Sequence, residues 1–126
     1  MTDRRTARKR LGDFGEDHAA WLLERAGHTI VARGWRCAAG ELDLVTLDGA
    51  ELVFVEVRTR RGERLGTPEE SIDARKAARL LRLGAAFLAA HPDYDDRIWR
   101  VDLVALILDD SGRVARVTHH ENAVVD

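Results

Sequence analysis

Two apolar stretches, Glu41 to Leu47 and Glu51 to Arg58, flank the dipeptide Asp48-Gly49, which suits the positive φ of a tight turn. This hairpin constrains the chain more than any other feature, because the turn decides which side chains share a face. With Asp48 and Gly49 as a two-residue loop, Leu47 lies opposite Ala50, Asp43 opposite Phe54 and Glu41 opposite Glu56. A four-residue loop keeps the same faces. One face then carries Leu42, Leu44, Val53, Val55 and Val57 and reads as the core side. The other carries Val45, Leu47, Leu52 and Phe54 near the turn, then Glu41, Asp43, Glu56 and Arg58 at the far end.

Three carboxylates and one cation therefore converge at one end of the hairpin. Opposed neighbours stand roughly 5 Å apart and diagonal ones roughly 7–8 Å, within joint reach of one ion. Left alone, two such carboxylates repel by about 4 kcal/mol at 4 Å and an effective dielectric of 20. A hard divalent cation offsets that repulsion, takes oxygen ligands, and bridges to a phosphate oxygen. The pattern thus points to metal-assisted phosphodiester hydrolysis, with Arg58 placed to stabilise charge developing on the phosphate. The same residues also fit a plain exposed strand end in which Glu56 and Arg58 form an ordinary ion pair, and spacing alone does not choose between the two.

The rest of the chain supplies one run of elements. Asp13 with Glu16 has capping-box spacing, and Ala19, Leu22, Leu23 and Ala26 follow at helical intervals before Gly27. Thr29 to Ala32 reads as a short strand. Gly62, Gly66 and Pro68 mark a loop, after which Ala77, Leu80, Leu81, Gly84 and Leu88 draw a helical stripe, with Asp73 or Thr67 as its N-cap. Ile98 to Leu108 and Arg113 to His119 complete an α-β-β-β-α-β-β order. A chain of 126 residues holds one such domain, here 11–126, preceded by a basic arm expected to be flexible over residues 1–10.

Charge is unevenly spread. Five basic groups against one acid give residues 1–10 a charge of +4, whereas 15 against 21 leave the remainder at −6. From Arg58 to Arg82, eight basic groups face four acids, so Arg60, Arg61, Arg75, Lys76 and Arg79 are candidate contacts to a polyanion such as nucleic acid. The competing reading is a solvated face in an arginine-rich chain. The longest apolar run covers eight residues, Leu83 to Ala90, so no membrane span is expected. A single cysteine, Cys37, and acids where a signal peptide needs apolar residues lead to the expectation of a cytoplasmic protein. His119-His120-Glu121 alternate across a strand and lack an evident third ligand. Trp21 and Trp99 read as packing residues, and Trp35, without an aromatic companion, as packing or a lone base platform.

Several local motifs occur together: Gly15-Glu16 with Ala19 and Leu22, Gly40-Glu41-Leu42-Asp43-Leu44-Val45, Phe54-Val55-Glu56-Val57-Arg58-Thr59-Arg60, Lys76, and Asp102-Leu103-Val104. In these the chain resembles, over nearly its whole length, the YraN-like family of uncharacterised bacterial proteins within the PD-(D/E)XK nuclease-like superfamily. The resemblance implies an α/β restriction-endonuclease-like αβββαβ core with a mixed central sheet flanked by helices. It also implies a nuclease site in which Asp43 and Glu56 hold Mg²⁺ or Mn²⁺, with the Val57 carbonyl as a third ligand and Glu16 matching an acidic position of related resolvases. Arg58 stands where that superfamily usually has lysine. Arginine binds phosphate in bidentate fashion but cannot exchange a proton with water, and Lys76 is the alternative ammonium. Glu16 also reads as a capping-box residue, Lys76 as a helix-surface lysine, and Glu41 as a group beyond the direct ligands. Two functions stay open: a metal-dependent endonuclease acting on DNA, branched DNA included, in preference to RNA, and a non-catalytic nucleic-acid-binding module of the same fold. A protein-interaction domain with an inert acidic cluster is the third. A homodimer through an edge strand such as Arg113 to His119 is a further expectation.

Overall fold

The computed structural model describes residues 4–62 and 66–124, the side chains of residues 4, 5 and 71 excepted. Residues 1–3 of the basic arm, and Glu63 and Arg64 of the basic segment after β3, lie outside this description. Helix α1 (Arg4–Arg25) is followed by β1 (Thr29–Cys37), β2 (Gly40–Asp48), β3 (Glu51–Arg61), α2 (Ala74–Ala90), β4 (Trp99–Leu108) and β5 (Val114–His120), with short 3-10 turns before and after α2. The strands form one five-stranded sheet in sequence order. Every pairing is antiparallel except β3 with β4, which α2 joins as a parallel crossover. The result is the expected mixed sheet with a helix on each face. No described helix is long and apolar enough to cross a membrane.

Side-chain pattern determines the two layers. Ala19, Ala20 and Leu23 of α1 pack on Leu44, Val53, Val55, Val104 and Leu106. On the opposite face Leu80, Leu83 and Phe87 of α2 pack on Val45, Leu52, Phe54 and Val101. The α2 N-cap is Asp73, whose carboxylate accepts from the Lys76 backbone N–H at 2.9 Å. Thr67 caps the preceding 3-10 turn instead, accepting from Glu70 N at 3.3 Å.

Four expectations are corrected. The first helix starts at Arg4, not at an Asp13 cap, so the described part of the basic arm, residues 4–10, is helical. Arginine, lysine and alanine there are strong helix formers, and Glu16 sits mid-helix, where no capping box operates. The first strand runs on to Cys37 because β2 offers it pairing partners as far as Gly40. The hairpin pairs Asp48 with Glu51, Val45 with Phe54 and Leu44 with Val55, two positions away from the anticipated register. Its two-residue turn is Gly49-Ala50, and only Gly49 needs a positive φ, +62°, as a type II′ turn requires. Finally, Leu42 packs with Val45 on the α2 side while Leu44 packs on the α1 side, so the alternation of faces breaks at Asp43.

Gly15 lets α1 approach the sheet at one point. A Cβ there would stand 1.9 Å from Thr59 Oγ1 and 3.2 Å from Thr59 Cβ. Gly15→Ala is therefore expected to push α1 off β3 and destabilise the protein by about 1–3 kcal/mol, despite alanine's better helix propensity. Denaturant titration of Gly15→Ala beside Gly15→Ala/Thr59→Ala checks this, since the double variant should recover part of the loss.

Candidate metal centre and nucleic-acid interface

The break at Asp43 builds the site. The β2–β3 ladder ends at Leu44 and Val55, and beyond it the Asp43 carboxylate replaces the missing strand partner, its Oδ2 accepting from Val57 N–H at 2.8 Å. Glu56 lies close enough to Asp43 for their carboxyls to share a hydrogen bond. Two carboxyls can bond in this way only with a proton between them. Burial, then Glu56, pushes the Asp43 carboxyl up to about 9. Glu56, 7% exposed, receives Arg58 at 3.1 Å.

Because α1 approaches so closely at Gly15, the next residue, Glu16, reaches the same place. Carboxylate oxygens of Glu16, Glu41 and Asp43 lie within 4.8 Å of one another. Glu41 is held by Arg36 at 3.0 Å, and burial followed by the charge of Glu41 raises the Glu16 carboxyl. Glu41 thus stands within the cluster itself. An all-oxygen donor set of half-buried carboxyls, one of them sharing a proton, suits a hard divalent cation.

The cations divide into two kinds. Arg33, Arg36, Arg58, Arg100 and Arg116 each pair with a carboxylate. Among the described residues no carboxylate pairs with Arg8, Lys9, Arg10, Arg60, Arg61, Arg75, Lys76, Arg79 or Arg82, which lie on the first turns of α1, the end of β3 or the first half of α2, nor with Arg25, Arg97 and Arg113, which lie elsewhere. Because α1 and α2 both run antiparallel to β3, those three segments meet at the sheet end that carries the carboxylates. Lys76 is half-buried rather than a surface lysine, and burial first, then Arg58, lowers its ammonium. Arg58 Nε and Arg60 Nε are buried without a hydrogen-bond partner.

Other candidates are absorbed by packing. Trp35 meets Phe87 edge-on at 5.2 Å and Trp99 meets Phe54 at 5.3 Å. Trp21, expected to pack, is 53% exposed on α1 beneath Arg25. His119 Nε2 bonds Asp102 at 2.8 Å and His120 Nε2 bonds Glu69 at 3.0 Å, so the two histidines serve opposite faces of the sheet. Sequence reading missed the ring of polar contacts around Asp102, which joins Arg100, Asp48, Glu51 and His119. The Asp102-Leu103-Val104 motif marks its centre, but no spacing joins the other members, which are drawn from the β2–β3 turn and from β4 and β5.

Comparison with known proteins assigns the chain to a family. A UPF0102 protein of Roseiflexus castenholzii is 49% identical over 124 residues, spanning 98% of each chain. Relatives from Moorella thermoacetica, 47% identical over 110 residues (87% of this chain, 91% of the relative), and Frankia casuarinae, 47% over 117 (93% and 98%), carry the same family designation. The profile of the uncharacterised protein family UPF0102 matches residues 15–106, from the glycine that admits α1 to the later part of β4. The YraN-like family suggested by the sequence motifs is this one, and the chain belongs to UPF0102.

Proposed function

We propose that the protein is a divalent-metal-dependent nuclease that hydrolyses phosphodiester bonds in DNA. The observation that carries the reading is the meeting of Glu16, Glu41, Asp43 and Glu56 with Arg58 and Lys76 at the basic end of the sheet. Asp43 and Glu16, joined by Glu41 in the same cluster, would hold Mg²⁺ or Mn²⁺, with Glu56 and the Val57 carbonyl as further ligands. When bound, such an ion supplies Lewis acidity at a phosphate oxygen and makes water more acidic. The chain's own groups divide the remaining work. Glu56 fixes Arg58 from one side, leaving the rest of its guanidinium for a phosphate oxygen. Arg58 cannot exchange protons, but Lys76 can, and its lowered ammonium suits that role. Arg60, Arg61, Arg75 and Arg79 would hold the flanking phosphates.

The test combines calorimetric titration of Mg²⁺ and Mn²⁺ with cleavage assays on labelled linear, flapped and four-way DNA. Wild type is expected to bind the ion and cut at least one substrate. Glu56→Ala is expected to lose cleavage while its DNA affinity, measured in EDTA, stays within about twofold. Undiminished cleavage by Glu56→Ala overturns the site. Metal binding and DNA binding without cleavage of any substrate favour the second reading, a binding module, for which the proton-inert Arg58 is the specific observation.

A further inference from the structure

Between the first turns of α1 and the ends of β3 and β4 runs a groove of about 440 Å³ lined by Arg10, Leu11, Phe14, Arg61, Leu108 and Gly112. Its floor is apolar and its charged lining is two guanidiniums, with no carboxylate among the lining residues. Phe14 is 42% exposed, with its ring beside that of His18 at 6.3 Å between centroids. Arg10 and Arg61 have no carboxylate partner among the described residues.

The geometry points to a docking notch for one unpaired nucleotide of a nucleic-acid strand, its base lying on Phe14 and its phosphate held by Arg10 and Arg61. An apolar floor with two guanidiniums that no described carboxylate neutralises complements a flat aromatic group that carries an anion. Continuity identifies the strand. Arg61 follows Arg58 by three residues, about 10 Å along an extended strand. A single strand of a few nucleotides spans that separation. Arg8 and Lys9, also without a carboxylate partner among the described residues, adjoin Arg10 on α1 and can take the neighbouring phosphates, whereas Arg58 and Arg60 alternate with Thr59 and Arg61 and face the α2 side of the sheet. A base inside a duplex hides its faces, so the occupant is unpaired. The preferred nucleic acid thus has a single-stranded segment beside the position facing Arg58. This rests on the nuclease reading only for what happens at the carboxylates.

Binding is measured in EDTA, which separates the notch from any hydrolysis, by anisotropy of a labelled 12-mer of deoxythymidylate and of a 12-base-pair duplex. Phe14→Ala is expected to weaken the single strand at least about 5-fold and the duplex less than about twofold. Phe14→Leu, which keeps the apolar floor, should show the same selective loss and so controls for folding. Arg10→Ala/Arg61→Ala should reduce the slope of log affinity against log salt by about 1.4 for the single strand. Single-strand affinity and slope unchanged in all three variants overturn the notch. So does displacement of the 12-mer by equimolar thymidine monophosphate, the mark of a free-nucleotide site. Cleavage by wild type with unselective variants removes the notch and leaves the nuclease reading intact, whereas selective loss without any cleavage keeps the notch and removes that reading.

Discussion

Replacing Asp43 by asparagine is expected to make the metal-free protein more stable at pH 8 while weakening its binding of divalent cations at least about 10-fold. Asparagine keeps an oxygen to accept from Val57 N–H and gains an N–H₂ to donate to Glu56, so both contacts of the wild-type carboxyl survive without the shared proton. The sign of the pH dependence follows from the raised carboxyl. Burial and Glu56 push the Asp43 carboxyl from its ordinary 3.8 up to about 9, so between these values the folded state holds the extra proton. Its contribution is full below pH 3.8 and is lost as pH rises toward 9, at up to about 1.4 kcal/mol per pH unit.

His28 acts in the opposite direction below its ordinary 6.5, because burial lowers it and the folded state disfavours its proton. Lys76, lowered from its ordinary 10.5, adds a rise of that same opposite sign toward alkaline pH, so the Asp43 slope is cleanest just above pH 7. At Glu69, burial opposes ionisation, but Arg116 and His120 outweigh it and lower the carboxyl to about 2, which confines its own loss of stability to acid below pH 4.5. Thermal melts at pH 7, 8 and 9 should fall for wild type and stay nearly flat for Asp43→Asn, with an advantage of about 1–2 kcal/mol for the variant at pH 8. Glu16, also raised, leaves a small residual slope. Added Mg²⁺ should raise the wild-type melt more at pH 8 than at pH 6, since a ligand carboxyl must shed its proton, and should hardly move the variant. Parallel pH profiles for the two proteins would contradict the assignment.

The element order and the convergence of Asp43, Glu56 and Arg58 are legible in the sequence because they depend on strand period and one turn. Both alternatives for the turn preserve the pairing of odd positions on β2 with even positions on β3, so a shift of two in register leaves Val45, Phe54 and Glu56 on one face. What strand period cannot reveal is a break in it. Leu42 changes face at Asp43 because the ladder ends there and a side chain takes over a backbone partner. The place of Glu16 is equally hidden, since it depends on how closely α1 approaches Thr59, a packing distance with no sequence signal other than Gly15. Among the cations, sequence shows where they cluster but not which are neutralised. Arg58 and Arg36 are paired, whereas Arg10, Arg61 and Arg79 have no carboxylate partner among the described residues.

Asp102→Ala is expected to cost about 3 kcal/mol of stability, the low end of the range for breaking a buried ion pair, and to leave cation binding unchanged. Asp102 is fully buried and accepts from Arg100 Nε at 2.9 Å, His119 Nε2 at 2.8 Å and the Asn122 backbone N–H at 2.9 Å. Burial opposes its ionisation, but His119, then Arg100, outweigh it and hold the carboxyl below its ordinary range. Removing it strips those donors of their shared acceptor, although Arg100 keeps Asp48 and Glu51, which is why the loss stays near 3 kcal/mol. Parallel pairing sets Asp102 beside Val55, on the side of the sheet that α1 covers, whereas Glu56 occupies the alternate position. The Asp102-Leu103-Val104 motif is thereby explained by the fold: this carboxylate fastens the start of β4 to the end of β5 and to the segment after it. Urea unfolding of Asp102→Ala and Asp102→Asn, paired with Mg²⁺ titration of each folded variant, checks this. Asparagine, which retains one acceptor, should lose less than alanine. A large drop in cation affinity with little change in stability would move Asp102 into the metal centre and out of the framework.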